Sequence, residues 1–276
     1  MVEFLTAFVL FYWWHGCGIT VGYHRLLSHR SFRSTRFFEY FFVAGGYLAY
    51  QGSPIWWSAI HRAHHKYSDL PLDPHSPKQH GVFYALVGWM LSGKYPAHID
   101  PNVSCKDLVN DPVYKILECG GDPAKASLVN LIVNIIFRAM LWAFFGWQVA
   151  LASLIASVMV FNVPLMLNVI CHMTHLGYTN FATKEDSVNV WWVGLLGMGE
   201  GWHNNHHAFP GSAQTGLHWY ELDVSWLTIK TGKALGLVKF ANVPSGFVAR
   251  MQQRKGALLR LKSFRRLRRE RLGAAA

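Results

Sequence analysis

Phe4 to Tyr23 is a run of twenty residues without a formal charge, and it leads directly into the cluster His24-Arg25-Leu26-Leu27-Ser28-His29. Twenty such residues in a helix reach about 30 Å, the thickness of a bilayer's hydrocarbon core. The run is no cleavable leader, because no basic segment precedes it and its second half carries Trp13, Trp14 and His15. Two more stretches of spanning length, Ala126 to Phe145 and Trp147 to Leu167, meet at Gly146 and read as a transmembrane hairpin. Arg138 inside the first must snorkel or face the protein interior, since a lipid-facing charge is costly. The expectation is an all-α integral membrane protein with three spanning helices. A composition of 51% hydrophobic and 15% charged residues, with 12 Trp, 11 Tyr and 18 Phe, agrees with it. Phe41 to Tyr50, Val82 to Leu91 and Val188 to Met198 are too short to cross and read as interfacial or buried.

Histidine spacing supplies the chemistry. His61-Arg-Ala-His64-His65 and His203-Asn-Asn-His206-His207 each place histidines at i, i+3 and i+4, which share one helix face. With His24 and His29 this makes eight imidazoles, too many for one metal, and points to a dinuclear site suited to Fe, Zn, Cu or Ni. His24 and His29 stand about 140° apart on an ideal α-helix, so one of them is expected where the span unwinds. His172, with Asn168 four residues before it at the end of the hairpin, is a further candidate ligand. Glu200, Asp69 and Asp73 are candidates to hold ligand imidazoles in their tautomer. The alternative for the two aspartates is an ordinary loop acid or cap. His15, His75, His80, His98, His175 and His218 lack the repeated spacing and are left out.

One site requires all the clusters on one side of the bilayer. A crossing by Phe41 to Tyr50 would separate His29 from His61, so that run is expected not to span, and the hairpin returns the chain to the same side. Eleven Lys/Arg lie between residues 24 and 125 and fourteen after 168, while none precedes the first span. The positive-inside rule therefore puts a cytoplasmic helical cap around the histidines. The net charge of +11 fits anionic lipid or an acidic partner protein. No nucleic-acid-binding motif is present. Cys17, Cys105, Cys119 and Cys171 show no CxxC spacing and read as reduced thiols.

His24-Arg-Leu-Leu-Ser-His29-Arg30-Ser31-Phe32, His61-Arg-Ala-His-His65-Lys66-Tyr67-Ser68-Asp69, Asp73-Pro74-His75 and Gly199-Glu-Gly-Trp-His-Asn-Asn-His-His207 with Phe209-Pro210 resemble the membrane fatty acyl desaturases of the stearoyl-CoA desaturase type. The resemblance runs from about residue 16 to 225. It implies a non-haem centre of two iron ions that uses O2 and two electrons to place a cis double bond, usually at Δ9, in a saturated acyl chain. It implies metal ligation by His24, His29, His61, His64, His65, His172, His203, His206 and His207, with Asn168 holding a water on one iron. Members usually carry four spans; this chain starts too late for the first, through truncation or a start downstream, or has its N-terminus outside. Animal members carry an Arg-Asp pair that contacts coenzyme A where Ala59-Ile60 stands here, while Lys94 matches a basic residue used for that headgroup. The carrier is left open among coenzyme A, acyl carrier protein and glycerolipid. With no His-Pro-Gly-Gly motif of a fused cytochrome b5, the expected electron donor is a separate ferredoxin or cytochrome b5.

On the first span, Gly16, Cys17, Gly18 and Thr20 leave room for an acyl chain near His24. Tyr12, roughly 18 Å from His24 along an ideal helix, is the candidate channel stop; the alternative is that it faces lipid or another span. A hydroxylase or ketolase is the nearest rival, though those families lack the full Gly-Glu-Gly-Trp-His-Asn-Asn-His-His context. A metal transporter or sensor would need polar residues inside the spans, whereas these histidines sit at span ends and in loops. Residues 1–276 read as one desaturase domain. Its C-terminal part, 250–276, is a basic tail: Arg250 to Arg271 holds ten Lys/Arg against Glu270 alone, interleaved with apolar residues. That run suits either a solvated tail or an amphipathic anchor on anionic lipid.

Overall fold

The computed structural model describes residues 1–246, so the Arg250–Arg271 run lies outside the described residues. The main elements are α1 (Val2–Ser28), β1 (Phe32–Ser34), α2 (Arg36–Tyr47), α3 (Pro54–Tyr67), α4 (Pro123–Phe145), α5 (Trp147–Ile170), α6 (His203–Ala208), α7 (Val224–Ala234) and β2 (Val238–Ala241). Short helical turns such as Tyr84–Gly88, Pro112–Leu117 and Trp191–Leu196 connect them. Helix starts follow capping chemistry. Ser53 and Asp122 accept backbone N–H groups ahead of Pro54 and Pro123, and Thr35 and Asp223 do the same for α2 and α7.

Among the described residues three helices, α1, α4 and α5, are long and apolar enough to cross a membrane. At 12 residues, about 18 Å, α2 is too short to span, as expected for this segment. Gly146, at φ +86°, makes the sharp turn between α4 and α5 in a region that only glycine enters without strain.

The organising element is the second half of α1. It is α-helical to Cys17 and π-helical from Gly18 to Ser28, and every residue of the π segment is buried. Helices α2, α3 and α7 and strand β1 all pack on this segment, and α1 also lies along α5. The α1–α2 crossing is a backbone contact. A Cβ on Gly18 would lie 2.1 Å from the Gly46 nitrogen and 2.5 Å from the Gly45 carbonyl carbon.

Arg138 faces the interior. Its guanidinium donates to the Leu48 carbonyl (2.6 Å) and to Asn134, and lies over the Tyr50 ring. Asn130 and Asn134, on the same stripe of α4, donate to the Tyr47 carbonyl. The polar stripe thus satisfies the open carbonyls at the end of α2, where a cation is also favoured by the helix dipole. One element lies outside the all-helical expectation. Strands β1 and β2 pair antiparallel, Phe32 with Ala241 and Arg33 with Phe240, tying the chain after His29 to the segment after α7.

Candidate metal centre

Four elements deliver nine imidazoles to one place. The π segment carries His24, α3 carries His61, His64 and His65, and α6 carries His203, His206 and His207. His29 follows the π segment directly, and His172 stands two residues past the end of α5. The span does not unwind between His24 and His29, which corrects that expectation. It widens instead: the His29 N–H donates to the His24 carbonyl (3.0 Å), an i→i+5 bond. That wider turn brings residues five apart onto one face, and the two Nε2 atoms lie 3.1 Å apart.

The nine sort into two groups, His24, His29, His61, His65 and His206, and His64, His172, His203 and His207. Each HxxHH motif is divided the same way. Its i and i+4 residues share one group while the i+3 residue crosses to the other, and α3 and α6 do this in opposite senses. Nε2 contacts in the first group are His29–His61 2.8 Å, His206–His65 2.9 Å and His24–His206 3.1 Å. In the second they are His207–His203 3.0 Å and His172–His203 3.2 Å.

These spacings fit metal ligation. Two nitrogens about 2.1 Å from a cation and at right angles to each other lie about 3.0 Å apart. The buried Nε2 of His64 has no hydrogen-bond partner, as an atom meant for a cation would. Five imidazoles in one group exceed the four ligands of a structural zinc site. Burial first, and then neighbouring imidazoles, push His29, His61, His65, His203, His206 and His207 well below the ordinary histidine range, so their lone pairs are free.

Carboxylates back the imidazoles from outside. Asp73 Oδ1 is 3.0 Å from His64 Nδ1, and Asp69 Oδ2 is 3.0 Å from His172 Nδ1. Glu200 Oε2 contacts His24 Nδ1 at 2.5 Å, although with poor angular alignment. A carboxylate on Nδ1 keeps the proton there and leaves Nε2 for a metal. Burial alone would raise the Asp69 carboxyl, but the hydrogen bond and charge of His172 outweigh it and bring it to about 2. Asp73 is depressed in the same way by His64, and Glu200 by His24 and Arg25. The fully buried Arg25 donates to Glu200 Oε1 (2.8 Å), Thr215 Oγ1 (2.9 Å), the Ala213 carbonyl (2.8 Å) and Asp223 Oδ2 (3.0 Å).

Sequence reasoning missed Arg25, Glu185 and His75. Glu185 lies 3.5 Å from His207 Nδ1, and an isolated loop glutamate gives no signal. His75 is buried, stacks on His64 at 4.4 Å and joins His64 and Asp73 in a third cluster. Its signal was the Asp73-Pro74-His75 triplet. His15 is a satisfied core residue, with Nδ1 2.8 Å from the Gly45 carbonyl.

A narrow apolar cavity ends on the histidines. Gly16, Ile19 and Thr20 of α1, Val163 and Pro164 of α5, and Leu196 line it, and it reaches His24, His61, His75 and His203. Asn168 lines it too, one turn before His172. Cys17 and Gly18 do not line it: Cys17 meets Thr228, and Gly18 meets α2. Tyr12 stands one turn beyond Gly16, and its hydroxyl donates to the Leu196 carbonyl at 2.8 Å. Lys94 is exposed, four residues after the cavity-lining Met90.

The family model described as fatty acid desaturase matches residues 2–226. The chain is 38% identical over 231 residues to an sn-1 stearoyl-lipid 9-desaturase of Anabaena variabilis, covering 83% of this chain and 80% of that one. It is 39% identical over 240 residues to an sn-1 stearoyl-lipid 9-desaturase of Synechocystis sp., covering 86% and 71%. It is 36% identical over 235 residues to an acyl-CoA 5-desaturase of Anemone leveillei, covering 83% and 68%.

Proposed function

The chain belongs to the fatty acid desaturase family and is a membrane oxidoreductase of fatty acyl chains, and we propose that it places a cis double bond at the Δ9 position of a saturated chain carried on a glycerolipid. The observation that carries this reading is the convergence of nine imidazole Nε2 atoms, in sets of five and four, at the end of a narrow apolar cavity. Two iron ions held there, with Asn168 positioning a water, would supply with O2 and two electrons the oxidant that an unactivated methylene requires.

The residues of this chain do the rest. Asp69, Asp73, Glu185 and Glu200 orient the imidazoles, and Arg25 fixes Glu200. The walls formed by Ile19, Val163 and Pro164 exclude water and hold a methylene chain beside the metals. Tyr12 closes the far end in this reading, and Lys94 stands near the headgroup. The excess of Lys and Arg on the histidine side supports a cytoplasmic site, where a separate donor, ferredoxin or cytochrome b5, meets the protein. The glycerolipid carrier is favoured by the stearoyl-lipid enzymes among the relatives; an acyl-CoA carrier is the second reading, from the acyl-CoA relative.

The test is expression in a host that requires unsaturated fatty acids, followed by lipid-class separation and location of the double bond. A Δ9 alkene without added oxygen, first appearing in glycerolipid, is expected. His64→Ala and His206→Ala, one from each histidine group, should abolish it while the protein still inserts. A hydroxylated product would move the reading to a hydroxylase, and label appearing first in acyl-CoA would move the carrier.

A further inference from the structure

A second apolar hollow shares no lining residue with the cavity that ends on the histidines. It is a groove of about 460 Å³ between α2 and α7, floored by Trp13 and walled by Phe37, Phe41, Leu227, Thr231 and Leu235. That volume is within the range of small-molecule sites, about 300–1,000 Å³. Phe37 is 70% exposed and Leu235 68% exposed, so the groove is open and uncovered by the described chain.

Two observations identify its occupant. Trp13 belongs to α1, a helix long and apolar enough to cross a membrane, and its indole N–H donates to Thr228 of α7, so the groove lies against a candidate membrane helix. Charge is then arranged around it as on an in-plane amphipathic helix. The groove residues of α7, at positions 224, 227, 228, 231, 232 and 235, form one face. Lys230 flanks that face and Lys233 stands on the opposite one. Arg33 and Lys239 are exposed on the adjoining two-stranded ribbon. No Asp or Glu occurs from Val224 to Gly246, and no acid among the described residues pairs with Lys230, Lys233 or Lys239.

We propose that the α2–α7 groove binds one acyl chain of an anionic glycerophospholipid, whose phosphate meets Lys230 at the edge of the groove face of α7 and Lys239 of β2. This lipid is a ligand distinct from the acyl substrate, because its site shares no lining residue with the cavity that reaches the histidines. The course of the chain favours a lipid over the C-terminal tail as occupant. From Leu237 at the groove, β2 leads to Asn242, which is bonded to Ser31 and Ala213 on the far side of the ribbon. The helix so gripped begins at Asp223, which also holds Arg25 behind Glu200.

The full-length protein, purified in detergent, is exchanged with phosphatidylglycerol or phosphatidylcholine of identical chains at about 0.5 M salt, which suppresses loose surface attraction. Bound lipid is counted by native mass spectrometry. One phosphatidylglycerol per chain is expected, favoured on the order of 10-fold over phosphatidylcholine. Leu227→Asp with Leu235→Asp, both exposed positions, should release the lipid while metal content is retained. Lys230→Gln with Lys239→Gln should keep a bound chain and bring the two lipids near parity. Equal retention of both lipids by the unmodified protein would overturn the proposal, as would retention by the double Asp variant. A lipid-free full chain that gains lipid on removal of residues 247–276 would assign the groove to the tail instead.

Discussion

Replacing Asp69 with asparagine isolates what one carboxylate contributes to the four-histidine group. Asp69 has φ +59°, a left-handed conformation that asparagine also tolerates, so the backbone gives no reason for damage. Shape and volume are kept, and an amide oxygen in the place of Oδ2 can still accept from the Asp186 N–H, while the amide NH2 in the place of Oδ1 faces the Ser76 hydroxyl. What changes is the partner of His172. The carboxylate accepts from Nδ1 at 3.0 Å; an amide oxygen in the same place still accepts, but without the negative charge that raises the basicity of the ligand imidazole. Asp69 titrates at about 2 in place of 3.8. Removal of such an outer partner typically costs a metal site about 10- to 100-fold in affinity. The expected result for Asp69→Asn is therefore a fall of about 10- to 100-fold in affinity for one metal per chain, with the second metal kept and desaturation lost. The assay is metal content by mass spectrometry under graded chelator, beside fatty-acid profiling. Two metals held at unchanged affinity would refute the role given to the carboxylate charge, and loss of both would mean that Asp69 supports the fold and not one ligand.

Three further outcomes are expected. Gly18→Ala places a Cβ 2.1 Å from backbone at the α1–α2 crossing, so it should lower thermal stability by about 1–3 kcal/mol or more and reduce metal retention; a wild-type melting curve would contradict the close crossing. Tyr12→Ala should raise the proportion of eighteen- over sixteen-carbon products by removing a clash, and an unchanged ratio with activity retained would sink the channel-stop role. The metal-free protein should melt at constant temperature above about pH 7 and lose stability as pH falls below about 6.5. There the unfolded chain takes up protons that His29, His61, His65, His203, His206 and His207 refuse when buried, each adding up to about 1.4 kcal/mol per pH unit. Equal melting of the metal-free protein at pH 7.5 and 5.5 would count against buried neutral imidazoles.

What the sequence determined by itself was whatever depends on neighbours along the chain. Length without charge marked the three helices long and apolar enough to span, and 3.6-residue periodicity put His61, His64 and His65 on one face of α3. The same local logic made Glu200, Asp69 and Asp73 candidate partners for histidines. Tertiary structure decided everything that depends on which faces meet. It sent His64 to one group and His61 with His65 to the other, according to which imidazoles of the other elements meet each of them. It chose a π-helix for Gly18–Ser28, where a helical wheel had required unwinding, because glycine-lined packing against α2 and the convergence of His24 with His29 favour a wider turn. It also brought Glu185 to His207, His75 to His64 and Asp223 to Arg25 across 22, 11 and 198 residues of chain. Such partners are selected by burial: a charge or imidazole removed from water must find its complement among whatever the packing brings near, and spacing along the chain does not record that choice.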